Sequence, residues 1–211
     1  MNKLFSVYPH GRWNEKKQQW VLSTKPFDAW TIEQAHEYII SSAAQSDTEA
    51  LQRSYAEYLR RKPSMTETEA KEAYDMIADF KKKHFIIATF AGLFSYRNSN
   101  SLTLRSPYMP LDFDDLESED EARDLQQRLM SDKYIEVALS FLSPKGRGLK
   151  AIIVLPEWTD GKPYQEQYLK MQHYMNFQYG YAIDKSGKDL CRACFLPYDP
   201  LCMIHKNIIK L

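Results

Sequence analysis

From residue 31 to about residue 83 the apolar positions recur at the three- and four-residue spacing of amphipathic helices. Ile32, Ala35 and Ile39 form one stripe, and Thr31 with Gln34 has the form of a capping box that starts such a helix. Leu51, Tyr55, Tyr58 and Leu59 predict a second helix. Ala70, Tyr74, Ile77 and Phe80 predict a third that begins near Ser64, with Glu67 three residues on, and Pro63 separates the two. After His84 the period changes. Residues 85–90 are a short run of strand formers, and strand-like segments recur at 102–105, 108–114, 135–142 and 149–155. Two more helices interrupt them, one after Ser118 and one after Pro163. The latter sets Tyr164, Tyr168, Met171 and Met175 on one face and stops at Gly180.

Strands alternating with helices imply an α+β (α/β) fold built on a mixed sheet. The expected organisation is a mainly helical N-terminal region, residues 1–83, packed against a core of residues 84–211. There is no internal repeat and no low-complexity segment.

Composition narrows the class. A hydrophobic content of 44% with 27% charged residues is that of a soluble protein, and no apolar run reaches the length of a membrane span. The opening MNKLFSVYPHGRW lacks the apolar stretch and cleavage site of a signal peptide, and three cysteines are an odd count, so a reducing cytoplasm is expected. Twenty-eight basic residues balance twenty-eight acidic ones, so nucleic-acid binding would have to use local patches. Arg60, Arg61 and Lys62, then Lys81, Lys82 and Lys83, then Lys145, Arg147 and Lys150 are the candidates, although such short charge runs are more often solvated faces and alone decide nothing.

The informative stretch is Leu111-Asp112-Phe113-Asp114-Asp115-Leu116. Acids two apart on a strand project from one face, and Phe113 projects from the other. Two carboxylates held that close repel each other unless a proton or a cation intervenes, and hard divalent ions such as Mg²⁺ take such oxygens. Eight acids lie between residues 112 and 124, so a solvated acidic loop is the competing reading. Ser118 and Glu121 look like a capping box, and Glu119, Asp120 and Glu121 suit a helix first turn. That account stops short of Asp112 and Asp114, which end an apolar segment.

A second feature follows. Residues 135–142 read as a strand, and Ser143-Pro144-Lys145-Gly146-Arg147-Gly148-Leu149-Lys150 turns the chain into a second strand. Gly146 and Gly148 permit a backbone that aims N–H groups into a concavity, ringed by Lys145, Arg147 and Lys150, as a triphosphate requires. An ordinary hairpin that needs glycine remains open. Strand parity puts Lys150 on the face of Ile152 and Val154, toward that phosphate, as an exposed side chain whose loss the fold would barely notice. Arg97, just before the acidic strand, is a further phosphate contact or an exposed loop arginine.

LDFDDL, then LSFLSPKGRGLKAIIVLP, then YGYAIDKSGKDLCRACFLPYDP resemble the VirE N-terminal domain family, which is similar to archaeo-eukaryotic primase and primase-polymerase catalytic domains. The resemblance covers roughly residues 70–205, and it is the ordered combination of the three segments that is specific. It implies an RNA-recognition-motif-like core flanked by helices. It implies that Asp112 and Asp114 are an acidic pair completed by Asp184, with Asp199 the weaker substitute. It implies that Ser143 and Arg192 contact the nucleotide. The chain departs from those enzymes at Lys150, which stands where they usually carry a histidine. Lysine keeps a cationic phosphate donor there but cannot act as a neutral imidazole.

The expectation is thus a metal-dependent nucleotidyltransferase domain of the primase or DNA polymerase type, from a replication protein. Asp112, Asp114 and Asp184 would hold two Mg²⁺ or Mn²⁺ ions. Ser143, Gly146, Arg147, Gly148, Lys150, Arg192 and Arg97 would hold the nucleoside triphosphate. A single-stranded or primed DNA template, and a helicase domain or protein, are the implied partners. The alternatives are a catalytically inactive nucleic-acid- or partner-binding module of the same fold, and a metal-dependent nuclease. Cys191, Cys194, Cys202 and His205 spell a zinc-like pattern, but the expectation is buried free cysteines rather than structural zinc. His10, His36, His84 and His173 have no triad context, and His173 is expected on a helix surface. Trp13, Trp20, Trp30 and Trp158 are scattered, which leaves a base-stacking platform open.

Overall fold

Local signals set the helices of the chain, for which a computed structural model describes residues 3–156 and 162–206. Four short strands open it: β1 (Phe5–Tyr8), β2 (Arg12–Asn14), β3 (Gln19–Val21) and β4 (Asp28–Trp30). Then come α1 (Ile32–Ile40), α2 (Gln45–Arg61) and α3 (Glu67–His84). The Thr31–Gln34 capping box is present at α1 as expected. At α3 the cap is Thr66, not Ser64, and Glu69 returns the bond, because residues 62–64 around Pro63 coil into a separate 3₁₀ turn and the helix restarts after it.

Next are β5 (Ile87–Thr89), β6 (Gly92–Phe94) and β7 (Leu102–Arg105). The rest runs β8 (Tyr108–Phe113), α4 (Glu119–Met130), β9 (Glu136–Leu142), β10 (Leu149–Val154), α5 (Tyr164–Tyr179), β11 (Cys194–Phe195) and β12 (Met203–Ile204). At α4, Ser118 caps Glu121 N, but the Glu121 carboxylate takes the N–H of Glu117 rather than that of Ser118.

The fold is α+β, with two four-stranded sheets ordered β12-β9-β10-β8 and β11-β5-β1-β4. The β8-α4-β9-β10-α5-β12 succession is a split β-α-β unit with the last short strand beside β9. Pro110 is tolerated within β8 because β8 is an edge strand, so its missing N–H costs the ladder little.

Parity decides what each face of this sheet meets. Met109, Leu111, Phe113, Ala151 and Ile153 pack on Leu125 and Leu129 of α4 and Tyr168 and Met175 of α5. Tyr108, Ile152, Leu139 and Phe141 pack on Phe5 and Val7 of the other sheet, on Phe90 in the turn after β5, and on Ile32 and Ile39 of α1. Each fully buried Leu, Ile or Phe contributes about 1.5–3 kcal/mol. Residues 3–30, for which the hydrophobic pattern offered no element, carry four short strands, and β1 pairs with both β4 and β5. A division at residue 83 therefore cuts a shared sheet.

Asp199 belongs to this framework. It is buried, receives two hydrogen bonds from Arg123 at 2.7 and 3.0 Å, and accepts the N–H groups of Leu142 and Leu201. Asp199→Ala leaves Arg123 without its buried partner and should cost about 3–5 kcal/mol. Urea unfolding measures this as a lower midpoint at unchanged slope. A loss below about 1 kcal/mol would mean that water already screens the pair.

Candidate metal centre

The acidic pair sits where β8 ends at the sheet edge. Phe113 points into the core against Tyr181, with ring centroids 6.4 Å apart, so Asp112 and Asp114 face the other way. Asp115 has a positive φ of 56°, a conformation Asp tolerates, and this turn lets Leu116 N donate to the Arg147 carbonyl at 3.1 Å. The end of the acidic strand is thereby tied to the glycine hairpin.

Asp184 arrives from the segment after α5. Its N–H donates to the Asp112 carbonyl at 2.9 Å, and Tyr168 Oη donates to the Asp184 carbonyl at 2.6 Å. Gly187 makes this approach possible, since a Cβ there would lie 2.3 Å from Tyr168 Oη. One ligand oxygen each from Asp112, Asp114 and Asp184 then lies within 4.8 Å of the others, so the trio can hold a metal ion. Asp112 Oδ1 is buried without a hydrogen-bond partner, as a free ligand oxygen would be.

The adjoining cavity, about 280 Å³, is walled by cations: Lys81, Lys145, Lys150 and Arg192, with Ser143, Tyr74 and Leu22. Three of these are already paired: Lys145 Nζ lies 3.9 Å from Asp115 Oδ1, and the other two engage the trio itself. Lys150 lies directly across the ladder from Asp112 and donates to its Oδ2, and Arg192 Nη2 lies 2.6 Å from Asp184 Oδ2. Burial works against the Lys150 charge, but Asp112, by its charge and its hydrogen bond, together with Cys194 and Asp114 holds the ammonium above its ordinary pKa. Burial also opposes ionisation of Asp184, yet the Ser186 hydrogen bonds and Arg192 hold its carboxyl below the usual range. Asp114 goes the other way: burial, then the Asp112 charge, raise its carboxyl, with Lys150 and Lys145 opposing.

Lys145 is held by Tyr55 and Tyr74, whose ring centroids lie 4.9 and 5.6 Å from Nζ. Lys81, on the last turn of α3, is lowered to about 8 by burial and by the neighbouring Lys145 and Lys150. Sequence reasoning had Lys81 only within a basic run and gave Tyr74 no place here, because nothing local signals which side of α3 meets the sheet edge.

The remaining expected contacts divide. Lys150 is buried, not exposed, and its ammonium is engaged by Asp112. The Gly146 N–H is spent within the turn on the Ser143 carbonyl at 2.9 Å, so it is not aimed at a ligand. Gly148 lies under Ser143, whose Oγ is buried and without a partner. Arg147 is exposed and lines a separate recess with Tyr55, Tyr58 and Lys62. Arg97 bonds the Ser23 and Thr24 carbonyls, which anchors the segment after β3.

The zinc-like residues go elsewhere. Cys191 Sγ lies 3.3 Å from Asp189, and burial pushes the Cys194 thiol up to about 12 and the Cys202 thiol well above its ordinary value. Cys194 and Cys202 stay protonated as small hydrophobes. His205 Nδ1 is 3.8 Å from Glu136. Among the described residues the aspartate trio is the one group of three or more such ligands within reach of an ion. Among those residues no helix is long and apolar enough to cross a membrane.

Fold and site together define an α+β protein with a metal-capable anionic centre inside a cationic pocket. The chain belongs to the family described as BT4734-like, N-terminal domain, whose model matches residues 79–203. Neither the curated proteins nor the solved structures give a match. The matched stretch holds the trio, Ser143 and all four cations, whereas Tyr74, Leu22 and Tyr55 precede it.

Lys150→Ala strands a buried Asp112 carboxylate and should destabilise the protein by about 3 kcal/mol or more, with Lys150→Arg retaining part of the loss. Calorimetry of both variants checks this, and an unchanged melting temperature would overturn the buried pair. Asp114 gives a pH-dependent counterpart. Its folded pKa lies above the unfolded value of about 3.9, so folding loses stability as pH rises from the unfolded value through the folded one. Asp114→Asn should therefore stabilise the ion-free protein above that window, by less than about 1 kcal/mol because water screens the group, and the gain should vanish below it. Melting curves of both proteins across pH make the comparison, and a gain independent of pH would contradict it.

Proposed function

We propose that this chain is a metal-dependent nucleotidyltransferase domain of the primase or DNA polymerase type, working in a replication protein of the cytoplasm. The convergence of Asp112, Asp114 and Asp184 beside four cations carries the reading. Phosphoryl transfer requires anionic ligands for divalent ions and cationic donors for phosphate oxygens, arranged around one cavity. The resemblance to primase-polymerase domains in the LDFDDL, LSPKGRGLK and YGYAID segments supports it as well.

The three carboxylates suit two Mg²⁺ or Mn²⁺ ions, whose Lewis acidity would raise the nucleophilicity of a primer 3′-hydroxyl and neutralise triphosphate charge. Lys145, Lys150, Arg192 and Lys81 would bind and orient the triphosphate, and Ser143 Oγ, buried and unpartnered, offers one further hydroxyl. A template strand and a helicase module are the partners such a domain serves. A second reading has its own support. The Lys150–Asp112 and Arg192–Asp184 pairs balance two of the carboxylates internally, which suits a binding module of the same fold that does no chemistry.

The test uses a labelled primer annealed to a template, with Mg²⁺ or Mn²⁺, with and without nucleoside triphosphates. Extension that falls about a hundredfold or more in Asp112→Ala supports the transferase. Shortening without nucleotides identifies a nuclease. No turnover, together with nucleotide-induced stabilisation that needs Lys145 and Arg192, identifies the silent module.

A further inference from the structure

The β2–β3 hairpin is a basic and aromatic surface that lies outside the carboxylate pocket. Trp13 and Trp20 face each other across the hairpin, with ring centroids 6.1 Å apart, and Trp13 is 40% exposed. Lys83 Nζ lies 5.6 Å from the Trp20 ring, and Arg12, Lys16 and Lys17 are exposed around the pair. Between His10 and Lys25 the chain carries Arg12, Lys16, Lys17 and Lys25 against the single acid Glu15, although the whole chain is neutral.

The hairpin is fixed beside the metal centre. Gly11 N donates to the Lys82 carbonyl at 2.6 Å, which ties its base to the end of α3, and Leu22, next after β3, lines the carboxylate cavity. A single strand passing the pocket would meet two indole side chains and four cations, Arg12, Lys16 and Lys17 from the hairpin and Lys83 from the end of α3. Stacking on aromatic rings with phosphate neutralisation alongside is how unpaired nucleic acids are held without sequence readout. Duplex ends and apolar partners use such a surface less well, because paired bases hide their faces and the cations would lack counter-charges.

We propose that this hairpin is the docking surface for a single-stranded nucleic acid, with bases stacked on Trp13 and Trp20 and phosphates held by Arg12, Lys16, Lys17 and Lys83. It rests on the reading of the adjacent pocket as a nucleic-acid-directed site, but strand binding needs neither ions nor nucleotide and so can be measured alone. Fluorescence anisotropy of labelled oligo(dT) and oligo(U) of about 16 nucleotides, against a duplex and against anionic phospholipid vesicles, is the experiment.

Wild type should bind a single strand in preference to duplex and vesicles. The log–log salt slope should be about −2 to −3, as expected for three or four neutralised phosphates. Trp13→Ala should weaken binding about fivefold or more, Trp13→Phe should recover most of it, and Lys16→Glu with Lys17→Glu should flatten the slope. All should keep the wild-type melting temperature and Mn²⁺ binding, so a general folding defect would be visible. No strand binding by wild type, equal binding by all variants, or a preference for vesicles or duplex overturns the proposal. Nucleotide binding without strand binding would sink the hairpin alone, and strand binding without nucleotide binding would sink only the reading of the pocket. If oligo(dT) and oligo(U) bind alike the surface reads stacking, and a preference for one names the strand.

Discussion

Repulsion among three carboxylates is the constraint that organises this molecule. Asp112, Asp114 and Asp184 bring oxygens within 4.8 Å, and such a group persists only if positive charge is supplied nearby. The protein supplies it from four directions. Lys150 comes from the neighbouring strand, Arg192 from the segment after α5, Lys145 from the hairpin turn and Lys81 from the last turn of α3. Lys150 matters most structurally, since it is a buried ammonium that would be prohibitive without Asp112 across the ladder.

The surrounding architecture exists to hold those charges at fixed distance. Phe113 anchors the acidic strand from behind, Tyr168 and the Asp184 N–H stitch the third carboxylate to β8, and the Leu116–Arg147 bond holds the strand end to the hairpin. Tyr55 and Tyr74 extend this support from the helical region, gripping Lys145 through their ring faces. The opposed tendencies of the carboxyls follow from the same arrangement. Asp184 has Ser186 and Arg192 to itself and stays low, whereas Asp114, with burial and a charged neighbour against it, is raised.

The family match begins at residue 79, yet the wall of the pocket does not. Tyr74 and Leu22 line the cavity from before that boundary, and β1 completes the sheet that β5 and β11 share. The N-terminal strands are thus part of the same structure as the aspartate trio. A neutral chain can still present a basic surface there, because the β2–β3 hairpin keeps a single acid, Glu15, against Arg12, Lys16 and Lys17.

The sequence by itself determined the elements whose signals are local. Thr31 with Gln34, Gly180 after α5, and the alternation that sets Asp112 opposite Phe113 are all decided by neighbours within a few residues. The choice of Asp184 as the third carboxylate came from family resemblance, and its convergence with the pair is a property of the fold. Tertiary structure alone decided the rest. The burial of Lys150 depends on which strand lies beside β10, and the place of Lys81 depends on how α3 crosses the sheet edge. Neither leaves a periodic trace. The short strands of the first 30 residues were illegible for a related reason: three- and four-residue segments carry too few positions to establish a period, and only pairing with distant partners such as β5 makes them strands.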